Sequence, residues 1–215
     1  MSPIDNGTIN YRDEIVRKLI HLFSLSIPII YYFIPQKDAI IILSVLTFLA
    51  LIIDLSRHFY PSVANIFYTI FGFLLRQHEV DIKKKNLNGA TYVLISALIC
   101  VIIFPKIFFV TAFTILIISD SLAALIGRKF GRHKLFAKSL EGTLAFFVSA
   151  SIVILFTPKI EGNIKEYLIG IIASAIGAIV ENISFGFADD NLSIPLSIGL
   201  TMWVLYLLLL PVCSS

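Results

Sequence analysis

The sequence predicts an all-α, polytopic integral membrane protein, and three observations carry that prediction. Hydrophobic residues make up 58% of the chain against 14% that are charged, the mean hydropathy is +0.92, and the apolar residues gather into runs close to the roughly 20 that a membrane helix needs. The longest polar stretch covers only 77–86, so a separate soluble domain has no place, and residues 1–215 read as one membrane-embedded domain. Nothing in the composition points to a nucleic-acid polymer as a partner.

Seven runs follow in order: 15–34, 39–55, 87–104, 107–127, 142–158, 167–188 and 191–212. Asp5, Asp13 and Glu14 stand where a secretory signal would carry cations, so the first run is expected to stay as an anchor. The stretch 62–75 is apolar and aromatic but too short to span, and is expected to lie in the interface or to re-enter. Cys100 and Cys213 both fall in apolar runs and form neither a metal-ligand pair nor a disulfide framework.

With seven spans, thirteen cations share the N-terminal side and four, Lys37, Lys106, Lys159 and Lys165, fall on the other. This bias places the N-terminus and the basic loops in the cytosol and the C-terminus across the membrane.

Within this apolar frame some charges demand a reason. Asp120 lies fourteenth in the run 107–127, about 10 Å of helix rise from its cytosolic end. A carboxylate there costs roughly 2.5–3.5 kcal/mol near the centre of the bilayer and less toward the edge, so it needs an interior partner or a function. An interhelical ion pair is the structural alternative. Glu181 repeats the pattern after fourteen uncharged residues. Asp54 is either a third such acid or half of an ordinary surface pair with Arg57, one turn later.

Between Asp120 and Glu141 the chain reads "SLAALIGRKFGRHKLFAKSL". Gly127 and Gly131 would let backbone approach a phosphate, and Arg128, Lys129, Arg132, Lys134 and Lys138 would supply charge. The same letters also spell G-x-x-x-G, a helix-packing pattern, and a basic loop that fixes topology or meets anionic lipid. In the first span Arg17 and His21 share a helical face beside Lys18; Arg17 and Lys18 read as phosphate ligands or as snorkelling cations, and His21 as a packed histidine more readily than a catalytic one. Asp189 and Asp190, next to Asn191, suit Mg²⁺ or Ca²⁺, although a turn and helix cap would use the same residues.

Phosphate-binding cations, metal-binding carboxylates and a membrane-surface position together describe phosphoryl or nucleotidyl transfer to a lipid. Neither a Walker A motif nor a protein-kinase glycine loop is present to hold the donor. In "RKLIH" (17–21), "LNGATYVLISAL" (87–98), "DSLAALIGRKFGRHKL" (120–135), "KSLEGTLA" (138–145) and Glu181 followed by "DDNLSIPL" (189–196), the chain resembles the membrane-embedded CTP-dependent lipid kinases. That group includes dolichol kinase, phytol and farnesol kinases and yeast-type diacylglycerol kinase.

The resemblance implies transfer of the γ-phosphate of CTP to a lipid alcohol with a divalent cation, Mg²⁺ or Ca²⁺, giving the lipid phosphate and CDP. Arg17, Lys18, Asp120 and Gly127 match the family's essential positions. On this reading Arg17 and Lys18 hold phosphates, Asp120 binds metal or takes the alcohol proton, and Glu141, Glu181, Asp189 and Asp190 complete the metal shell. An isoprenoid alcohol such as phytol, geranylgeraniol or farnesol, or else diacylglycerol, is the expected acceptor.

Phosphatidate cytidylyltransferase, from the same broad superfamily, is the alternative enzyme. A transporter or lipid-binding scaffold, with the buried acids as an ion path, is the non-enzymatic one. Phe108, Phe109 and Phe113 fall near one another around the fourth span and are candidates for one wall of a lipid groove, with aromatic packing as the other reading.

Overall fold

A computed structural model describes residues 10–72, 87–184 and 189–210. Each of the seven expected runs contains helix. In chain order the helices are α1 (Tyr11–Phe23), α2 (Ser26–Phe33), α3 (Gln36–Phe59), α4 (Pro61–Phe71), α5 (Gly89–Ile103), α6 (Lys106–Phe130), α7 (Leu140–Phe156), α8 (Ile164–Ile183) and α9 (Asp190–Leu209). Five are long and apolar enough to cross a membrane, counting α1 and α2 as one segment, while α5 and α7 are shorter apolar helices. The 77–86 loop, the end of the 62–75 stretch beyond Gly72, and Cys213 lie outside the described residues.

Local chemistry sets the boundaries. Pro28 has no N–H to give the Ser24 carbonyl four residues back, so the Ile27 N–H takes that carbonyl at 2.9 Å and the first segment breaks between α1 and α2. Pro35, Pro61 and Pro105 stand at the starts of α3, α4 and α6, where a missing N–H costs nothing. Side chains cap the next three starts: Asn88 accepts from Thr91 N, Ser139 from Gly142 N, and Asn163 forms a capping box with Glu166.

Helix α6 is the centre of the bundle, packed against α1, α2, α5, α7 and α9. Ile115, Leu116 and Ile117 are consecutive and all fully buried, so most of the circumference of this helix faces protein along that turn, with Thr114 and Ile118 partly exposed on the remaining side. By contrast α3 exposes Ile41, Val45, Phe48 and Ile52, an apolar face fit for acyl chains.

The aromatic trio resolves as packing. Phe109 stacks on Phe113 with centroids 4.7 Å apart and meets Tyr31 edge-on, and Phe108 lies against Tyr206. All three are at most 2% exposed, so they build the core and do not wall a groove.

Between α6 and α7 the expected basic loop is shorter than the sequence suggested. Helix α6 continues through Gly127 to Phe130, and a two-stranded antiparallel hairpin follows, β1 (Lys134–Leu135) pairing with β2 (Lys138–Ser139).

Candidate functional site

Charged residues from α1, α6, the hairpin, α8 and α9 come together at one end of the bundle. Lys18 reaches 102 positions along the chain to donate to the Asp120 carboxylate, and both side chains are almost wholly buried. His21, one turn beyond Lys18, places Nε2 3.9 Å from the same carboxylate. Asp120 is therefore an interior acid with a lysine partner and a histidine neighbour.

A second assembly is built around Lys138. Its Nζ donates to Glu181 Oε1 at 2.7 Å and to Asp190 Oδ2 at 2.9 Å, joining β2 to α8 and α9. Burial alone would favour the neutral amine, but Asp190, Glu181 and Asp120 raise its pKa above the ordinary lysine range. Lys138 is accordingly a fixed cation. A third pair ties α1 to α6: Glu14 lies 3.5 Å from Arg128 and 3.7 Å from Arg17.

The expected cation cluster thus divides. Arg128 and Lys138 join these pairs, while Lys129, Arg132 and Lys134 are exposed at the helix end and on the hairpin. The glycines serve packing. A Cβ on Gly127 would stand 2.9 Å from Ser139 Oγ and 3.3 Å from Gly142 Cα, and one on Gly131 would strike the Gly127 carbonyl and Ser139. The helix-packing reading of G-x-x-x-G is the one this geometry realises.

The expected metal residues divide as well. Glu141 accepts from His133 and its backbone N–H on an exposed surface, and Asp189 caps α9 by accepting from Asn191 N at 2.9 Å. Among the described residues, no three His, Cys, Asp or Glu side chains gather closely enough to hold a metal by themselves. Glu181 Oε2 and Asp190 Oδ1 are nevertheless buried and have no hydrogen-bond partner among the described residues. Two carboxylates with spare oxygens fit Mg²⁺, which takes one or two carboxylates and fills its sphere with phosphate oxygens and water; they are few for Ca²⁺, which wants more protein oxygens.

The two readings of Asp54 resolve in favour of an interior acid, and one further residue at this end of the molecule, Asn182, escaped the sequence reading. Asp54 and Arg57 form no surface pair: both side chains are fully buried 2.6 Å apart, and Asp54 Oδ2 also accepts from Asn88 N at 2.7 Å, anchoring the start of α5. Asn182 accepts from Ala137 N and Lys138 N and donates to Thr143 Oγ1 at 2.6 Å, which clamps the hairpin to α7 and α8. Its position directly after Glu181 was the available signal, but a lone amide has no pattern.

A cavity of about 270 Å³ opens beside Lys18 and His21 and reaches Asn191, the neighbour of Asp190. Arg17, Lys18, His21, Asn88 and Asn191 are among its polar lining residues, and Ile20, Val93, Phe67 and Phe71 among its apolar ones.

Comparison with known proteins bears on what this site does. An uncharacterized protein of Rickettsia prowazekii (strain Madrid E) is 32% identical over 196 residues, covering 88% of this chain and 93% of the relative. An uncharacterized protein of Methanocaldococcus jannaschii is 33% identical over 189 residues, covering 85% and 88%. The chain belongs to the family of these two proteins. A third relative, CTP-dependent diacylglycerol kinase 1 of Schizosaccharomyces pombe, is 28% identical over 155 residues, covering 66% of this chain and 69% of its own. This makes the family distant kin to a CTP-dependent lipid kinase. No family model matches the chain. No solved structure matches it.

Proposed function

We propose that this protein transfers the γ-phosphate of CTP to the hydroxyl of a membrane lipid alcohol, an isoprenoid alcohol or diacylglycerol, at the cytosolic face of the bilayer. The observation that carries the reading is the buried Lys18–Asp120 pair with His21 beside it, at a cavity lined by both polar and apolar side chains. Kinship to a CTP-dependent diacylglycerol kinase supports the donor.

In this reading the alcohol oxygen attacks the γ-phosphorus, the bond from that phosphorus to the β–γ bridging oxygen breaks, and CDP leaves. Asp120 accepts the alcohol proton as the new bond forms, a role open to a carboxylate within hydrogen-bond reach of the hydroxyl. Lys18 and Arg17 meet the incoming phosphates, and Lys138, held by Glu181 and Asp190, adds a fixed positive charge. Glu181 and Asp190 would hold Mg²⁺ through their spare oxygens, and the ion would supply charge neutralisation for the triphosphate. The thirteen-to-four cation bias supports a cytosolic N-terminus and site, with the C-terminus on the opposite side.

The test is purified protein in detergent with Mg²⁺, CTP labelled at the γ-phosphate, and a panel of phytol, geranylgeraniol, farnesol, diacylglycerol and phosphatidic acid. Label in an alcohol-derived lipid phosphate is the expected result. Label released as pyrophosphate with phosphatidic acid would make the protein a cytidylyltransferase, and transfer to no lipid would leave a transporter or scaffold.

A further inference from the structure

The cavity beside Lys18 has an unusual outer wall. Helix α4 is 11 residues long, about 16 Å, and so too short to span. It packs on α3, with Arg57 lying 4.8 Å over the Phe67 ring. Its outer face presents Ile66 and Ile70 to the surroundings, both more than half exposed. Phe67 and Phe71 line the cavity instead, together with Ile20 of α1 and Val93 of α5. The space therefore joins cationic and hydrogen-bonding groups, Lys18 and His21 among them, to apolar and aromatic ones, beside a helix whose other face is fit for lipid.

We propose that this cavity receives the hydroxyl end of the acceptor lipid, which enters laterally under α4, and that Phe67 and Phe71 determine how bulky an alcohol is accepted. The proposal rests on the kinase reading for its choice of ligand. An amphiphile is the ligand class that matches a lining of cations and amides together with apolar and aromatic side chains. At about 270 Å³ the cavity lies just under the roughly 300–1,000 Å³ of pockets that enclose whole drug-sized ligands, so it takes a head and its first carbons and leaves the rest of the chain in the bilayer.

Phe71 is the residue to vary, because it is 45% exposed and can be changed without emptying the core, whereas Phe67 also carries the Arg57 contact. Phe71→Ala should raise kcat/KM for diacylglycerol relative to a single-chain isoprenoid alcohol by roughly tenfold, and Phe71→Trp should lower it, the scale set by a few carbons in an apolar pocket. KM for CTP should stay constant in both. A change in the KM for CTP with an unchanged alcohol ratio would overturn the proposal by giving the cavity to the nucleotide.

A second readout does not depend on turnover. A single-chain alcohol carrying a diazirine a few carbons from its hydroxyl, added to the full-length protein in phosphatidylcholine vesicles, should label the peptide that contains Phe67 and Phe71. Labelling there without any phosphorylation would support the cavity and defeat the kinase reading. Phosphorylation with label confined to other helices would do the reverse.

Discussion

Removing the Lys18–Asp120 pair one partner at a time, and then together, separates its structural cost from its chemistry. Lys18→Met leaves a buried carboxylate without its direct partner, facing His21 at 3.9 Å and the more distant charge of Lys138, and Asp120→Leu leaves a buried ammonium. Breaking a buried pair in this way costs about 3–5 kcal/mol, because the surviving charge has lost its counterpart but not its burial. For a chain of 215 residues, with ~2–4 °C lost per kcal/mol, each single variant should melt roughly 6–20 °C below the wild type. The double variant Lys18→Met/Asp120→Leu replaces the pair with apolar groups of similar size and should recover most of that loss, as hydrophobic replacements of buried pairs do.

Turnover should follow a different course. All three variants should transfer no measurable phosphate, since the double variant restores packing without restoring a proton acceptor or a phosphate ligand. The assay pairs thermal unfolding in detergent with label transfer from CTP on the same preparations. A stable double variant that still phosphorylates lipid would refute the reasoning and reduce the pair to a structural strut.

Other residues give further tests. Gly127→Ala should destabilise by about 1–3 kcal/mol, because its Cβ would press on Ser139 Oγ, the cap of α7; thermal midpoints should show Ser139→Ala costing less in that background than alone. Lys138→Met leaves Glu181 and Asp190 without their shared cation. It should lower stability on the order of 3 kcal/mol, and Mg²⁺ should raise its melting midpoint more than that of the wild type; an equal Mg²⁺ response in the two proteins would refute the assignment of these carboxylates to the metal. Tyr206→Phe removes a 2.6 Å hydrogen bond to the fully buried Glu166, worth about 1.5–3 kcal/mol because the acceptor is charged. Glu166 lies fifteen residues from Glu181 on the same helix, roughly 22 Å away, so this variant should lose stability while keeping the kcat of the folded enzyme.

Much of the fold was legible in the sequence because a bilayer imposes a simple rule. Backbone groups in lipid must bond within their own segment, so long apolar runs such as 107–127 have no alternative to helix. Asp120 and Glu181 were legible as interior acids for the same reason: in so apolar a setting a carboxylate must turn inward. Cap and breaker residues such as Pro35, Asn163 and Asp189 act within a few positions, and the element starts follow from them.

Other features depended on distance in the chain. That Lys18 serves Asp120, and that Lys138 serves both Glu181 and Asp190, follows only from which helices pack side by side. Arg57 and Asp54 look like a surface pair in one dimension and become buried once α4 lies over them and Asn88 caps against them. Gly127 and Gly131, equally suited to a phosphate or a helix contact as letters, were decided by the arrival of Ser139 and Gly142 within a few ångströms. The sequence by itself determined the helices and the presence of costly interior charge, because both are local consequences of an apolar solvent. Only the tertiary structure decided the pairing of those charges and the shape of the cavity beside them, because each depends on contacts between segments far apart in the chain.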